Sequence, residues 1–201
     1  MKRLLLLTWL LTTLLSLPAQ TTIDSLFLAA PTEVMPLLSP RARMDMLDLH
    51  QHGLEAKAEN NMGGKSLMQQ KTDERIEIRL TEVSTLSMRL VRNMLSNTQD
   101  STLICLIHTL NTPATRSQVK FYTTAWQPIE WNRQPKTEQF LSAPDEKTLR
   151  TWLTTLRPTY IRAEWAETDR PTLRFSLSLE ALSLEDRKEI EPHLRTVDIT
   201  L

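Results

Sequence analysis

The chain changes its hydrophobic period at residue 54. Before that point the spacing is helical. "IDSLFLAAPTEVMPLL" (23–38) reads as short helical turns broken by Pro31 and Pro36. Ser39 then stands as an N-cap, with Pro40 at the first helical position. "RARMDMLDLHQH" follows as a helix with Met44, Met46 and Leu47 facing inward, ended by Gly53. From Leu54 onward the period becomes two. "LEAKAE" places Leu54, Ala56 and Ala58 on one face, and a strand over 65–71 follows a Gly63–Gly64 turn. "RIEIRLT" puts Ile76, Ile78 and Leu80 inside and Arg75, Glu77 and Arg79 outside, and "TLSMRLV" repeats the pattern with Leu86, Met88 and Leu90. Such alternation predicts antiparallel strands with one wet face. "SNTQDS" (96–101) is a polar loop. "TLICLIHTL" (102–110) is apolar on both faces, as a central strand requires, and "QVKFYTTAW" (118–126) is the next strand. The short connections predict a meander of about six strands.

The second half is less regular. Residues 127–144 hold three prolines and no period, which predicts a long irregular connection. "PDEKTLRTWLTTL" (144–156) is a helix with Leu149, Trp152, Leu153 and Leu156 on its apolar face. "YIRAEWAE" and "TLRFSLSL" form a hairpin across Asp169–Arg170–Pro171. Ser183, with Asp186 three residues on, opens a capped helix, and "LRTVDITL" closes as a strand. The expected class is α+β: a mostly antiparallel meander sheet of about nine strands with helices packed on one face.

Residues 1–19, "MKRLLLLTWLLTTLLSLPA", carry Lys2 and Arg3 ahead of an apolar run and end in Pro18–Ala19, the layout of a secretory signal peptide. The run is about 14 residues, short of the roughly 20 that span a bilayer. Residues 20–201 are then expected as one α+β domain, exported to the periplasm or beyond, with no transmembrane segment after signal removal. The whole chain has 24 basic and 24 acidic residues. That balance gives no electrostatic case for nucleic acid. Cys105 is the only cysteine, so no intramolecular disulfide forms, and its apolar strand makes it a small core residue rather than a nucleophile.

Candidate chemistry is sparse. "GGKS" (63–66) ends like a phosphate-binding loop, but Glu59 stands where that loop needs its first glycine. A turn between strands fits better, and no nucleotide is expected. His50 and His52 lie two apart; on a helix they diverge by about 200°, so they cannot share a metal there. His108 sits in the apolar central strand, where a satisfied histidine is the default over a catalytic base. No G-x-S-x-G occurs, and the acidic pairs at Glu185–Asp186 and Glu189–Glu191 fall on a solvated helix. No cofactor, metal or catalytic residue is assigned. Trp152 and Trp165 fit inner faces. Tyr122, Trp126 and Trp131 flank the start of the irregular connection and are the candidate ligand contacts.

The segments "EAKAENNMGGKS", "IEIRLTEVSTLSMRLV", "LICLIHTLNTPATRSQVKFYTTAWQPI" and "FLSAPDEKT" resemble, in this order, a family of exported Bacteroidales proteins known as a domain of unknown function. The resemblance covers roughly residues 24–180. It implies export and transfers no activity or site residue. The expected function is a non-enzymatic envelope protein that binds a ligand or another protein. Alternatives are a structural component that assembles by strand addition, and a hydrolase acting on envelope or dietary polymers. The last would need His108 or paired carboxylates gathered in a cleft.

Overall fold

The computed structural model describes residues 21–92 and 102–201. The expected signal peptide (1–19) and the polar loop 96–101 lie outside the described residues. Two helices open the fold: α1 (Ile23–Ala29) and α2 (Pro40–Gln51). Seven strands follow: β1 (Lys57–Glu59), β2 (Lys65–Lys71), β3 (Arg75–Thr81), β4 (Ser84–Arg92), β5 (Thr102–Leu110), β6 (Arg116–Thr123) and β7 (Pro128–Ile129). They form one antiparallel sheet in chain order, the meander that the alternation predicts. Then come α3 (Glu146–Thr155), β8 (Ile161–Trp165), β9 (Thr172–Leu177), α4 (Leu184–Ile190) and β10 (Val197–Thr200). The last three strands form a second antiparallel sheet in the order β10–β9–β8.

The α+β class and antiparallel meander are observed, with the strands divided between two sheets. The large sheet ends at β7, a two-residue edge strand whose first residue, Pro128, has no N–H to donate. The later strands pair among themselves and lie over the face of the meander opposite α1 and α2. One core joins Ile23, Leu26 and Phe27 of α1, and Ala42 and Met46 of α2, to Ile76, Ile78, Leu86, Met88, Ile104 and Leu106 of the sheet. The other joins Leu103, Cys105, Ile107 and Phe121 to Trp152 of α3, Trp165 of β8 and Phe175 of β9. β5 contributes to both cores, which is why "TLICLIHTL" is apolar on both faces. α3 therefore packs on the face that α1 and α2 leave.

The helix ends follow their local chemistry. The Ser39 hydroxyl accepts from the Ala42 N–H at 3.1 Å, with Pro40 just inside the helix. At the other end Gly53 takes φ 69°, the Leu54 N–H reaches the Leu49 carbonyl and the Gly53 N–H the His50 carbonyl, a Schellman closure. The inward stripe of α2 differs from the expected one. Met44 is exposed, Leu47 half-buried, and the fully buried positions are Met46 and Arg43. Arg43 is inside because its guanidinium has a use there: Nη1 donates to the Ala30 carbonyl at 2.6 Å, joining α2 to the end of α1. Burial lowers its pKa.

Candidate functional site

On the helix-facing side of the sheet, side chains change from apolar to polar along two neighbouring strands. β5 presents Ile104, Leu106 and His108 in turn, and opposite them on β6 stand Tyr122, Lys120 and Gln118. His108 also pairs with Leu86 of β4. Alternation by two places all six β5 and β6 side chains on one face. α1 and α2 cover its apolar part. The connection between them, residues 31–38, runs over Leu80, Leu86 and Leu106 as a strap.

The strap is held from both sides. Arg43 anchors its start at the Ala30 carbonyl and approaches the Met35 sulfur at 3.9 Å. Asn61, in the β1–β2 turn, donates from its side chain to the Pro36 carbonyl at 2.7 Å and from its backbone to the Leu37 carbonyl at 3.0 Å. That turn is the "NNMGGKS" stretch. Its organiser is buried Asn60, whose Oδ1 accepts from the Met62 and Gly64 N–H groups while Nδ2 donates to the Leu80 carbonyl and Ser66 hydroxyl. Gly63 alone in this turn takes positive φ, at 77°. Asparagine, not phosphate, occupies these amides, and the stretch is the expected turn between strands.

Between strap and sheet lies a cleft of about 200 Å³. Its floor is Leu80, Leu86 and Leu106; Met35 and Leu37 close the strap side; His108, Lys120, Tyr122 and Glu33 reach its mouth. The polar groups there are short of partners. The Nε2 atom of His108 is fully buried and makes no hydrogen bond. Among the described residues, Lys120 and Glu33 belong to no ion pair, and the Tyr122 hydroxyl makes no hydrogen bond to protein. Burial lowers the His108 pKa, and the positive charge of Lys120 lowers it further, so the ring is neutral at neutral pH. Burial raises the Tyr122 pKa. A leucine floor with one buried, unpartnered nitrogen and solvent-reached Lys120 and Glu33 at the same end suits a small molecule.

A larger groove of about 390 Å³ lies on the opposite face, between β4 and the edge of β8. Its charges are paired, Arg75 with Glu77 and Arg162 with Glu164, and the Trp165 indole donates to Ser87 at 3.1 Å, although Arg75 Nε is buried without a partner. Its ionic groups already have partners, and its lining is mostly polar, without the leucine floor of the cleft.

The three aromatic candidates separate. Tyr122 lines the cleft. Trp126 sits in the turn after β6 at φ 61°, buried behind Tyr122 with ring centroids 5.5 Å apart, and its indole donates to the Leu26 carbonyl. Trp131 lies on the other face, stacked on Phe175 at 5.9 Å and tilted against Phe121 at 5.4 Å. His50 falls in the last turn of α2 and His52 at its C-cap. No group of three His, Cys, Asp or Glu side chains gathers as a metal site among the described residues. Cys105 is fully buried, and burial pushes its thiol pKa up. Sequence reasoning singled out His108 and Tyr122 and missed Lys120, Glu33 and the strap. The available signal was in "QVKFY", where Lys120 occupies an inward register position between Gln118 and Tyr122.

The family model described as protein of unknown function (DUF3256) matches residues 14–200, and the chain belongs to that family. A solved structure described as a domain of an uncharacterized protein from Porphyromonas gingivalis W83 is similar at a TM-score of 0.73 and 23% identity. The similarity covers 89% of this chain and 92% of that one, and it shows a shared fold. No curated protein matches the chain.

Proposed function

We propose that this member of a family without an assigned activity is an exported envelope protein that binds a small ligand in the cleft beside His108, without catalysing a reaction. The observation that carries the reading is the orphaned Nε2 of His108 above a floor of leucines. A buried polar atom without a partner costs about 1–3 kcal/mol, and a bound ligand would recover that cost. Tyr122 is the ligand contact among the aromatic candidates, and Trp126 supports it from behind. Export rests on the Lys2–Arg3 start and the apolar run that follows. Residues 20–201 act as one domain on this reading, because β5 belongs to both cores.

The alternatives have less support. Catalysis by His108 needs a carboxylate, serine or cysteine to work with, and among the described residues none of these hydrogen-bonds to its Nε2. Assembly by strand addition favours a long open edge, whereas the outermost strands β1, β7, β8 and β10 have three, two, five and four residues. No helix among the described residues is long and apolar enough to cross a membrane.

Native mass spectrometry of the protein purified gently from its own cell envelope tests the reading. The expected result is a reproducible small added mass, lost in Gln118→Trp, which fills the cleft mouth from an exposed position. A bare protein that also fails to take up any mass from an envelope extract would overturn it. N-terminal sequencing of the same material tests export; the expected first residue follows Ala19 or Gln20.

A further inference from the structure

The polar end of the cleft also restricts the chemistry of what enters it. We propose, building on the binding role above, that the ligand is a small monoanion with an apolar tail, such as a short-chain monocarboxylate. Its carboxylate sits at Lys120, His108 and Tyr122, and its tail lies over Leu80, Leu86 and Leu106.

Among the described residues Lys120 is the one Lys or Arg that lines the cleft, and no carboxylate pairs with it. A carboxylate is the natural partner for an ammonium group. His108 and Tyr122 can both add donors: neutral imidazole carries one N–H, and the phenol carries one O–H. Nε2 is closed to solvent in the unliganded structure, so the histidine donates its one N–H to the same oxygen pair once the ring turns toward the mouth. A cationic ligand could pair only with Glu33 on the strap, would meet Lys120 with like charge and would leave the His108 and Tyr122 donors unused.

Glu33 sets the limit on charge. It faces the cleft from the strap side, without an ion-pair partner among the described residues. One ammonium group balances one carboxylate; a second anionic group on the ligand would be set against Glu33 or pressed onto leucines. That selects a monoanion over a dianion. A sugar fits poorly for a related reason: its hydroxyls would lie on the leucine floor without partners.

Size gives a further constraint. A cavity of about 150 Å³ lined by apolar side chains holds benzene, so a cleft of about 200 Å³ suits a ligand of roughly eight non-hydrogen atoms. Hexanoate has that size.

The test is a titration of the purified protein with hexanoate, 1-hexanol, hexylamine and adipate, read by the NMR resonances of the His108 ring. Hexanoate is expected to shift them saturably, with 1-hexanol at least about tenfold weaker and hexylamine and adipate without saturable effect. Lys120→Gln, an exposed change that leaves the core intact, is expected to weaken hexanoate at least about tenfold, and Lys120→Arg to restore most of the loss. Equal binding of hexanoate and 1-hexanol, or an unchanged affinity in Lys120→Gln, would overturn the proposal. If none of the four probes binds while the envelope-purified protein carries an added mass lost in Gln118→Trp, the ligand class is wrong and the binding role stands. If neither occurs, both fall.

Discussion

The indole N–H of Trp126 donates to the carbonyl of Leu26 at 3.2 Å, joining residues 100 apart in the chain. This bond fastens the turn after β6 to α1. Tyr122 lies between Trp126 and the cleft, so the position of the cleft wall depends on a contact outside it.

Trp126→Ala is expected to destabilise the fold by about 3–5 kcal/mol, the usual cost of removing a buried aromatic ring. Trp126 also holds φ 61°, a conformation that favours glycine. Trp126→Gly should therefore be no less stable than Trp126→Ala, despite the greater freedom of glycine in the unfolded chain. Urea denaturation of the two variants checks this order. A glycine variant less stable by more than about 1 kcal/mol would contradict the strain argument.

Arg43 is a buried cation with a carbonyl and a thioether for company, and its Nε has no hydrogen bond. Arg43→Ala leaves a cavity and strips the Ala30 carbonyl of its donor; the expected loss is about 2–4 kcal/mol. Arg43→Met refills the volume and removes the desolvated charge, so it should recover at least half of that loss. Denaturation midpoints that place both variants at the same stability would show that side-chain volume is not what matters there.

Asn60 serves two strands at once, through the turn amides and the Leu80 carbonyl. Its replacement by alanine is expected to cost about 2 kcal/mol. Because the adjacent Asn61 holds the strap, the same change should weaken ligand binding although Asn60 touches no part of the cleft. Thermal unfolding and a binding titration on one preparation separate the two effects.

Glu180 links the small sheet to the loop before β6. Its carboxylate accepts from the Thr115 N–H at 2.8 Å and the Ser178 hydroxyl at 2.9 Å, and these bonds, the Thr115 backbone first, hold its pKa below the ordinary 4.5. A depressed folded pKa stabilises the fold above the unfolded value and loses that stabilisation as pH falls through the folded value. Glu180→Gln should therefore be less stable than the parent near neutral pH, by about 1 kcal/mol or less at so exposed a site. The gap should close below about pH 4.5. Melting curves between pH 3 and pH 7, ~0.5 unit apart, follow it; a gap that widens with acid would contradict the assignment.

Much of the fold is legible in the polarity pattern, for identifiable reasons. β3 has a wet outer face, so Arg75, Glu77 and Arg79 mark its register. β5 is covered on both sides, so its run is apolar throughout. The division into two sheets is not legible, because it depends on where β7 stops pairing and not on any local period. Arg43 is invisible to a hydrophobic stripe, since its inward turn is rewarded by a carbonyl at the end of another helix. The cleft is built from a strap and four strands that no spacing rule brings together. His108 and Tyr122 stand out in sequence by residue type; Lys120 and Glu33 acquire meaning only when the strap crosses the sheet.

The most direct test of ligand binding beside His108 is a crystal structure of the protein recovered from its own envelope. Continuous density is expected from the floor at Leu86 and Leu106 to the His108 ring and the Lys120 ammonium group. Only separate water peaks in the cleft, or a ligand seated in the opposite groove by Trp165, would contradict it.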